Sequence, residues 1–160
     1  MLKNILSGED CAKCRICCVF DRYDLWETPT VPDEMMRSLS ELDPSLEFIS
    51  RGDSWLFRMN ESADGLYYCP MLTETGCKLG DSKPAECKMW PYRPMNFRGR
   101  LVIAIASICP TMYKKSLERL TMELDNGLAD MIFEEARKNP DIIKDYQEGY
   151  PILKIGDIIE

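Results

Sequence analysis

The chain has no histidine at all. That absence excludes Cys₂His₂ zinc fingers, histidine-ligated catalytic zinc, Rieske centres and any Ser-His or Cys-His catalytic pair. It also has no run of eighteen apolar residues, so no transmembrane helix is expected. The opening MLKNILSGEDCAKC has too short an apolar run and no small-residue cleavage site, so the expected location is the cytoplasm. Internal repeats and low-complexity tracts are missing too. So is a glycine-rich strand-to-helix loop of the kind that cradles a nucleotide-derived methyl donor. Whether the chain is an enzyme is left open by its residues.

What is present is a chain of 160 residues, 45% of them hydrophobic, long enough for one domain with a real core. We read residues 1–160 as a single metal-binding domain, with its core at 11–110 and a helix and docking tail at 111–160. Twenty Lys and Arg against 27 Asp and Glu give a net charge of −7, and metal-bound thiolates would lower it further. So acidic a chain repels phosphate backbones, and no nucleic-acid partner is expected. Between Lys78 and Arg100 the balance reverses. The plain account of that stretch is a solvated face; the sharper one is that its cations offset thiolate charge near Cys77 and Cys87.

The chain's eight cysteines carry the chemistry. Cys11, Cys14, Cys17 and Cys18 form a C-x-x-C-x-x-C-C run, with Cys69, Cys77, Cys87 and Cys109 downstream. Reducing cytosol keeps thiols free, which favours metal ligation over disulfides, and thiolates suit Zn²⁺ or iron-sulfur clusters. In a loop knuckle Cys11, Cys14 and Cys17 would converge. On a continuous helix Cys11, Cys14 and Cys18 would share a face. Adjacent side chains diverge, so either way one of Cys17 and Cys18 is left for a second site, a disulfide or burial. Eight ligands divide into two sets of four. The division we favour is Cys11, Cys14, Cys17 and Cys109 in one, and Cys18, Cys69, Cys77 and Cys87 in the other. The two-residue spacers and the Cys109-Pro110 step echo the bacterial ferredoxin run and favour a 4Fe-4S cluster, while zinc accepts the same thiolates.

The expected fold is α+β: a small, mostly antiparallel sheet, a long helix in the C-terminal half and cysteine loops organised by metal. Val19 to Trp26 could form a strand. Thr30 can cap a helix carrying Met35, Met36, Leu39 and Leu42 on its apolar side. Ser54–Met59 and Leu66–Cys69 read as a hairpin about an Asn60–Gly65 turn, and Pro70–Pro94 as an irregular loop. Met95–Ile108 reads as a second hairpin turning at Arg98-Gly99, with Leu101–Ala106 buried and Pro110 ending the strand. Tyr113, Leu117, Leu120, Leu124, Leu128 and Met131 recur at helical spacing to about Arg137, with a kink at Asn126-Gly127 and a stop at Asn139-Pro140. A short helix and a strand or docking tail follow. The ten methionines are read as packing.

The run at Cys11 to Cys18, with Cys69-Pro70, Gly76-Cys77, Lys83-Pro84, Cys87 with Pro91 four residues on, and Cys109-Pro110, resembles the CxxCxxCC cysteine-cluster family, a zinc- or iron-chelating domain family. Some of its members are labelled iron-sulfur-cluster or flagellin N-methylase-like proteins. The resemblance covers residues 11 to 110. It implies an eight-cysteine metal site, with an iron-sulfur redox or accessory role served by a protein partner, or a zinc-stabilised interaction module. Two positions depart from the family: Arg15-Ile16 stands where many members carry glycine, and Lys83 where many carry arginine. Glycine would supply the positive φ of a tight loop more readily than Arg15. The carboxylate pairs Asp21/Asp24 and Asp33/Glu34 read as surface charge or a first helical turn. Trp90, Tyr92 and Arg93 read as a shield for the site or, alternatively, a partner surface.

Overall fold

The computed structural model describes residue 2 and residues 6–159. Met1 and residues 3–5, part of the opening read for a leader, lie outside the described residues, as does residue 160. The fold is α+β, with several small, mostly antiparallel sheets. The chain gathers into two compact units. Gly8–Cys87 forms one, and Lys88 onward belongs to the other. No helix among the described residues is long and apolar enough to cross a membrane.

The cysteine-rich unit begins with helix α1 (Gly8–Cys14) and a 3₁₀ turn at Ile16–Cys18. Strand β1 (Val19–Phe20) follows, far shorter than the expected Val19–Trp26 strand. The strand stops early because Asp24 turns the chain: its Oδ1 accepts from the N–H of Trp26 (3.0 Å) and Glu27 (2.8 Å). Helix α2 (Asp33–Leu42) forms where expected, but Pro32 occupies the cap position in place of Thr30. Leu39 is buried, while Leu42, the last helical residue, is 82% exposed because the chain leaves the core there.

Strand β2 (Phe48–Arg51) pairs antiparallel with β3 (Ser54–Phe57), a partner that the sequence reading missed. The expected turn at Asn60–Gly65 is present, but it joins β4 (Asn60–Glu61) to β5 (Tyr67–Tyr68). Strand β3 instead has β2 along one edge and a bridge from Val31 to Trp55 on the other. The sheet order is β1-β5-β4. A further hairpin, β6 (Leu72–Thr73) and β7 (Gly76–Cys77), lies inside the stretch read as irregular. The core of this unit is Phe20, Val31, Leu39, Phe57, Met59 and Met71, with Met35, Met36, Cys69 and Cys77 packed on it. These strands of two to four residues bury little, which makes the unit's local cross-links matter.

Helix α3 (Ala85–Met89) spans the boundary between the units. The second unit is built on the hairpin of β8 (Tyr92–Phe97) and β9 (Arg100–Ile105), turning at Arg98-Gly99 as the sequence indicates. Both turn residues have positive φ, 55° and 79°, the geometry whose twist matches paired strands. Pro110 does not end the strand. It opens a short helix, α4 (Pro110–Tyr113), because a helix's first position needs no N–H. Helices α5 (Leu117–Glu123) and α6 (Ala129–Lys138) form one long helical stretch broken at Asn126 and Gly127, the latter with φ 100°.

Leu120, Leu124, Leu128, Ile132, Phe133 and Ala136 face inward, whereas Tyr113, Leu117 and Met131 are exposed. The inward residues keep a four-residue spacing across the break, whereas Tyr113 belongs to the separate helix α4 and Leu117 is the first residue of α5. The tail supplies β10 (Lys144–Asp145), parallel to β8, and β11 (Ile152–Ile158), antiparallel to β9; the order is β10-β8-β9-β11. Of the methionines, Met59, Met71, Met89, Met95 and Met112 are buried, while Met122 and Met131 are exposed.

Candidate metal centre

The local chain path decides which thiols meet. Cys11 and Cys14 lie three residues apart on α1, on one side of that helix. The helix ends because Arg15 takes a left-handed conformation, φ 60° and ψ −3°. Its side chain compensates: Nε donates to the Ala12 carbonyl (2.9 Å), and a guanidinium nitrogen donates to the Glu74 carbonyl (2.7 Å). The first bond satisfies a carbonyl at the helix end, and the second ties α1 to the β6–β7 hairpin. Neither expected geometry, the open knuckle or the continuous helix, is formed. A helix, one left-handed residue and a 3₁₀ turn replace both.

Cys17 and Cys18 close that turn, and their Sγ atoms stand 3.9 Å apart. They were expected to diverge. They do not, because Cys18 sits at the junction between the turn and extended Val19 (φ −127°, ψ 128°), where the helical step no longer applies. From this junction the ladder of β1 and β5 continues by one more bond, Cys69 N–H to the Cys18 carbonyl at 2.9 Å. The chain then turns at once, Leu72 N–H donating to the Cys69 carbonyl (3.0 Å), and Leu72 is paired with Cys77 across β6 and β7. Cys69 and Cys77 are thus delivered by two linked turns onto the same core.

Cys87 arrives separately on α3, and its approach is fixed by its neighbour. Glu86 Oε2 accepts from both the Thr30 N–H (2.7 Å) and the Thr30 hydroxyl (2.8 Å). Thr30 is 3% exposed, so these bonds bridge two chain segments out of solvent. Sequence reasoning missed this clamp by giving Thr30 to the helix cap; a carboxylate beside a ligand cysteine was the available signal.

The electrostatics show which thiols influence one another. Burial pushes the Cys87 thiol well up, and the charges of Cys69, Glu86, Cys17 and Cys77 add to it. Burial likewise raises Cys69 to about 11, with Cys77 and Cys17 contributing in the same direction. For Cys17 the contact with Cys18 raises the thiol most, then burial, then the charge on Cys18, while Lys83 pulls it back. Lys83, from the basic stretch, is thus a cation that acts on Cys17. Five thiols from three chain segments share one neighbourhood: Cys17, Cys18, Cys69, Cys77 and Cys87. All are half-buried.

An all-sulfur set of this kind fits Zn²⁺ or an iron-sulfur cluster and suits hard cations poorly. Among the described residues, no three cysteine or carboxylate groups already converge at ligating distance of one point. The side chains would have to turn to meet an ion. Cys109 belongs to the other unit, where it is buried and stands at the N-cap of α4, not at the end of a strand.

The remaining candidates have local duties. Asp24 builds its turn, and Asp33 and Glu34 occupy the first turn of α2. Tyr92 is fully buried and donates to the Leu120 carbonyl (3.2 Å); Arg93 is 9% exposed and lies over the Tyr150 ring. Those two offer no partner surface. Compared with known proteins, the chain matches no protein-family model, no curated protein and no solved structure.

Proposed function

We propose that this is a metal-binding protein whose centre is the thiol cluster of the Gly8–Cys87 unit. What supports the reading is that Cys17 and Cys18 stand 3.9 Å apart and that Cys17, Cys69 and Cys77 act electrostatically on Cys87, in a unit with strands of only two to four residues. A cation held by thiolates would tie these segments together and add to their small core. In the metal-free chain burial and mutual repulsion keep Cys17, Cys69 and Cys87 as thiols, so the cluster is a poor nucleophile and a latent ligand set.

The spacing of Cys17 and Cys18 favours a single ion. Two thiolates about 2.3 Å from one tetrahedral ion stand about 3.8 Å apart, and the two sulfurs lie 3.9 Å apart. In a cubane each iron takes one cysteine, so its ligands stand farther from one another. On this reading the ion is zinc-like, its work is structural, and the stabilised unit serves to bind another protein. The second reading is an iron-sulfur redox or accessory protein. It rests on the ferredoxin-like C-x-x-C-x-x-C-C run and on the resemblance to the cysteine-cluster family.

Anaerobic purification followed by zinc, iron and acid-labile sulfide analysis, with a visible spectrum, separates the two. Stoichiometric zinc without sulfide or colour supports the structural centre. Iron and sulfide in equal amounts with a broad band near ~400 nm would favour the cluster instead. Absence of stoichiometric metal after both purification and anaerobic reconstitution would refute metal binding itself.

A further inference from the structure

The four-stranded sheet of the second unit has two unlike edges. On one, β10 is two residues long and its Lys144 is buried. On the other, β11 runs for seven residues, the longest strand among the described residues, and no described strand lies beyond it. Its backbone bonds run to β9 and, at the Gly156 carbonyl, to the Arg100 side chain (3.0 Å). The opposite row of N–H and C=O groups is a template for one more strand.

Charged side chains commonly guard such an edge. Here both charges of β11 are drawn to the helices: Lys154 Nζ donates to Asp125 (2.5 Å), and Asp157 accepts from Arg137 (2.7 Å). Ile155 and Ile158 are instead 60% and 74% exposed. They lie opposite Val102 and Arg100, two residues apart on β9, and so share one face of the sheet, whereas Lys154, opposite Ile103, is on the other.

Independently of the metal-binding reading, we infer that β11 is the contact strand of a homodimer, two copies pairing antiparallel about a two-fold axis near Gly156 so that their sheets join into one. Charge selects a second copy in this direction. The antiparallel pairing brings Lys154 beside Asp157 of the second copy, and Asp157 beside its Lys154, whereas parallel pairing would set like charges against each other. A two-fold axis perpendicular to the sheet keeps every side chain on its own face, so Ile155 and Ile158 of both copies form a single apolar strip.

Sedimentation velocity of the full chain over a concentration series, under reducing conditions, tests this. The expected result is a shift from the 18.5 kDa chain to a species of twice that mass, with amide exchange of residues 152–158 slowing as the larger species forms. Ile155→Lys and Ile158→Lys, at exposed positions where circular dichroism should show the fold unchanged, each return the protein to the monomer over the same range. A chain that is monomeric at every concentration overturns the inference and leaves the edge to a strand of another protein. So does a dimer that both variants keep, or one in which exchange of residues 152–158 does not change with concentration.

Discussion

Replacing Glu86 tests whether the position of Cys87 is built by the clamp to Thr30. The carboxylate accepts two bonds from one buried residue, at 2.7 and 2.8 Å. Hydrogen bonds to a charged group contribute about 1.5–3 kcal/mol each, and removal of the acceptor strands a buried N–H and a buried hydroxyl. The two bonds share one residue and are not independent, so we expect Glu86→Ala to destabilise the Gly8–Cys87 unit by about 3 kcal/mol. Glu86→Gln keeps an oxygen acceptor and loses only the charge, for about 1 kcal/mol.

Hydrogen exchange of the Thr30 amide, read by mass spectrometry on the reduced, metal-free chain, measures this locally. A loss of about 3 kcal/mol corresponds to roughly a hundredfold faster exchange where the unit opens as a whole. Zinc affinity should fall in the same order, Gln before Ala, because Cys87 rides on the same helix as Glu86. Unchanged Thr30 exchange in Glu86→Ala would show that Cys87 is positioned by packing alone and would refute the clamp.

Tyr92 predicts an alkaline limit to the stability of the second unit. Its phenol, fully buried and donating to Leu120, is pushed up to about 12, first by burial and then by the charge of Glu123. The folded state therefore holds the proton more tightly than the unfolded state. The contribution is complete below pH ~10 and is lost as pH rises through ~12, worth about 2–3 kcal/mol. Urea titrations at pH 8 and 11 should show about half of that loss, and Tyr92→Phe should flatten it; an equal pH dependence in both proteins would contradict the assignment. In β11, a Cβ at Gly156 would meet the Phe133 ring at 2.9 Å and the Leu101 carbonyl at 3.1 Å. Gly156→Ala should destabilise by about 1–3 kcal/mol, checked by the urea midpoint, and an unchanged midpoint would mean that the ring yields freely.

The fold was legible where a local rule and its tertiary setting agree. Arg98-Gly99, with both residues at positive φ, and the break at Asn126-Gly127 are matters of backbone freedom, which the sequence displays directly. Partner choice was not legible. Ser54–Phe57 has the residues of a strand, but only the position of Phe48–Arg51 decides that it pairs backward instead of forward. Tyr113 and Leu117 fit the helical period and yet are 81% and 63% exposed, since periodicity says nothing of where a helix breaks or what lies beneath it. The α+β class survived these errors because it depends on element types, whereas pairing depends on contacts between distant residues.

The candidate site divides along the same line, and Arg15 shows why. Sequence alone identifies the eight cysteines, since spacing and thiol chemistry are local properties. It counts Arg15 against a tight turn, because a left-handed non-glycine residue costs about 1–2 kcal/mol. The guanidinium offsets that cost with bonds to the Ala12 and Glu74 carbonyls, the second of them 59 residues away. No local rule reveals Glu74 as a partner. The same holds for Thr30 and Glu86, 56 residues apart. The thiols advertise the chemistry, and long-range hydrogen bonds from residues with no ligand character decide which thiols meet. Glycine at position 15 would relieve the backbone and remove the tie to the β6–β7 hairpin in one step. The arginine therefore exchanges backbone ease for a fixed relation between the helix that carries Cys11 and Cys14 and the hairpin that carries Cys77.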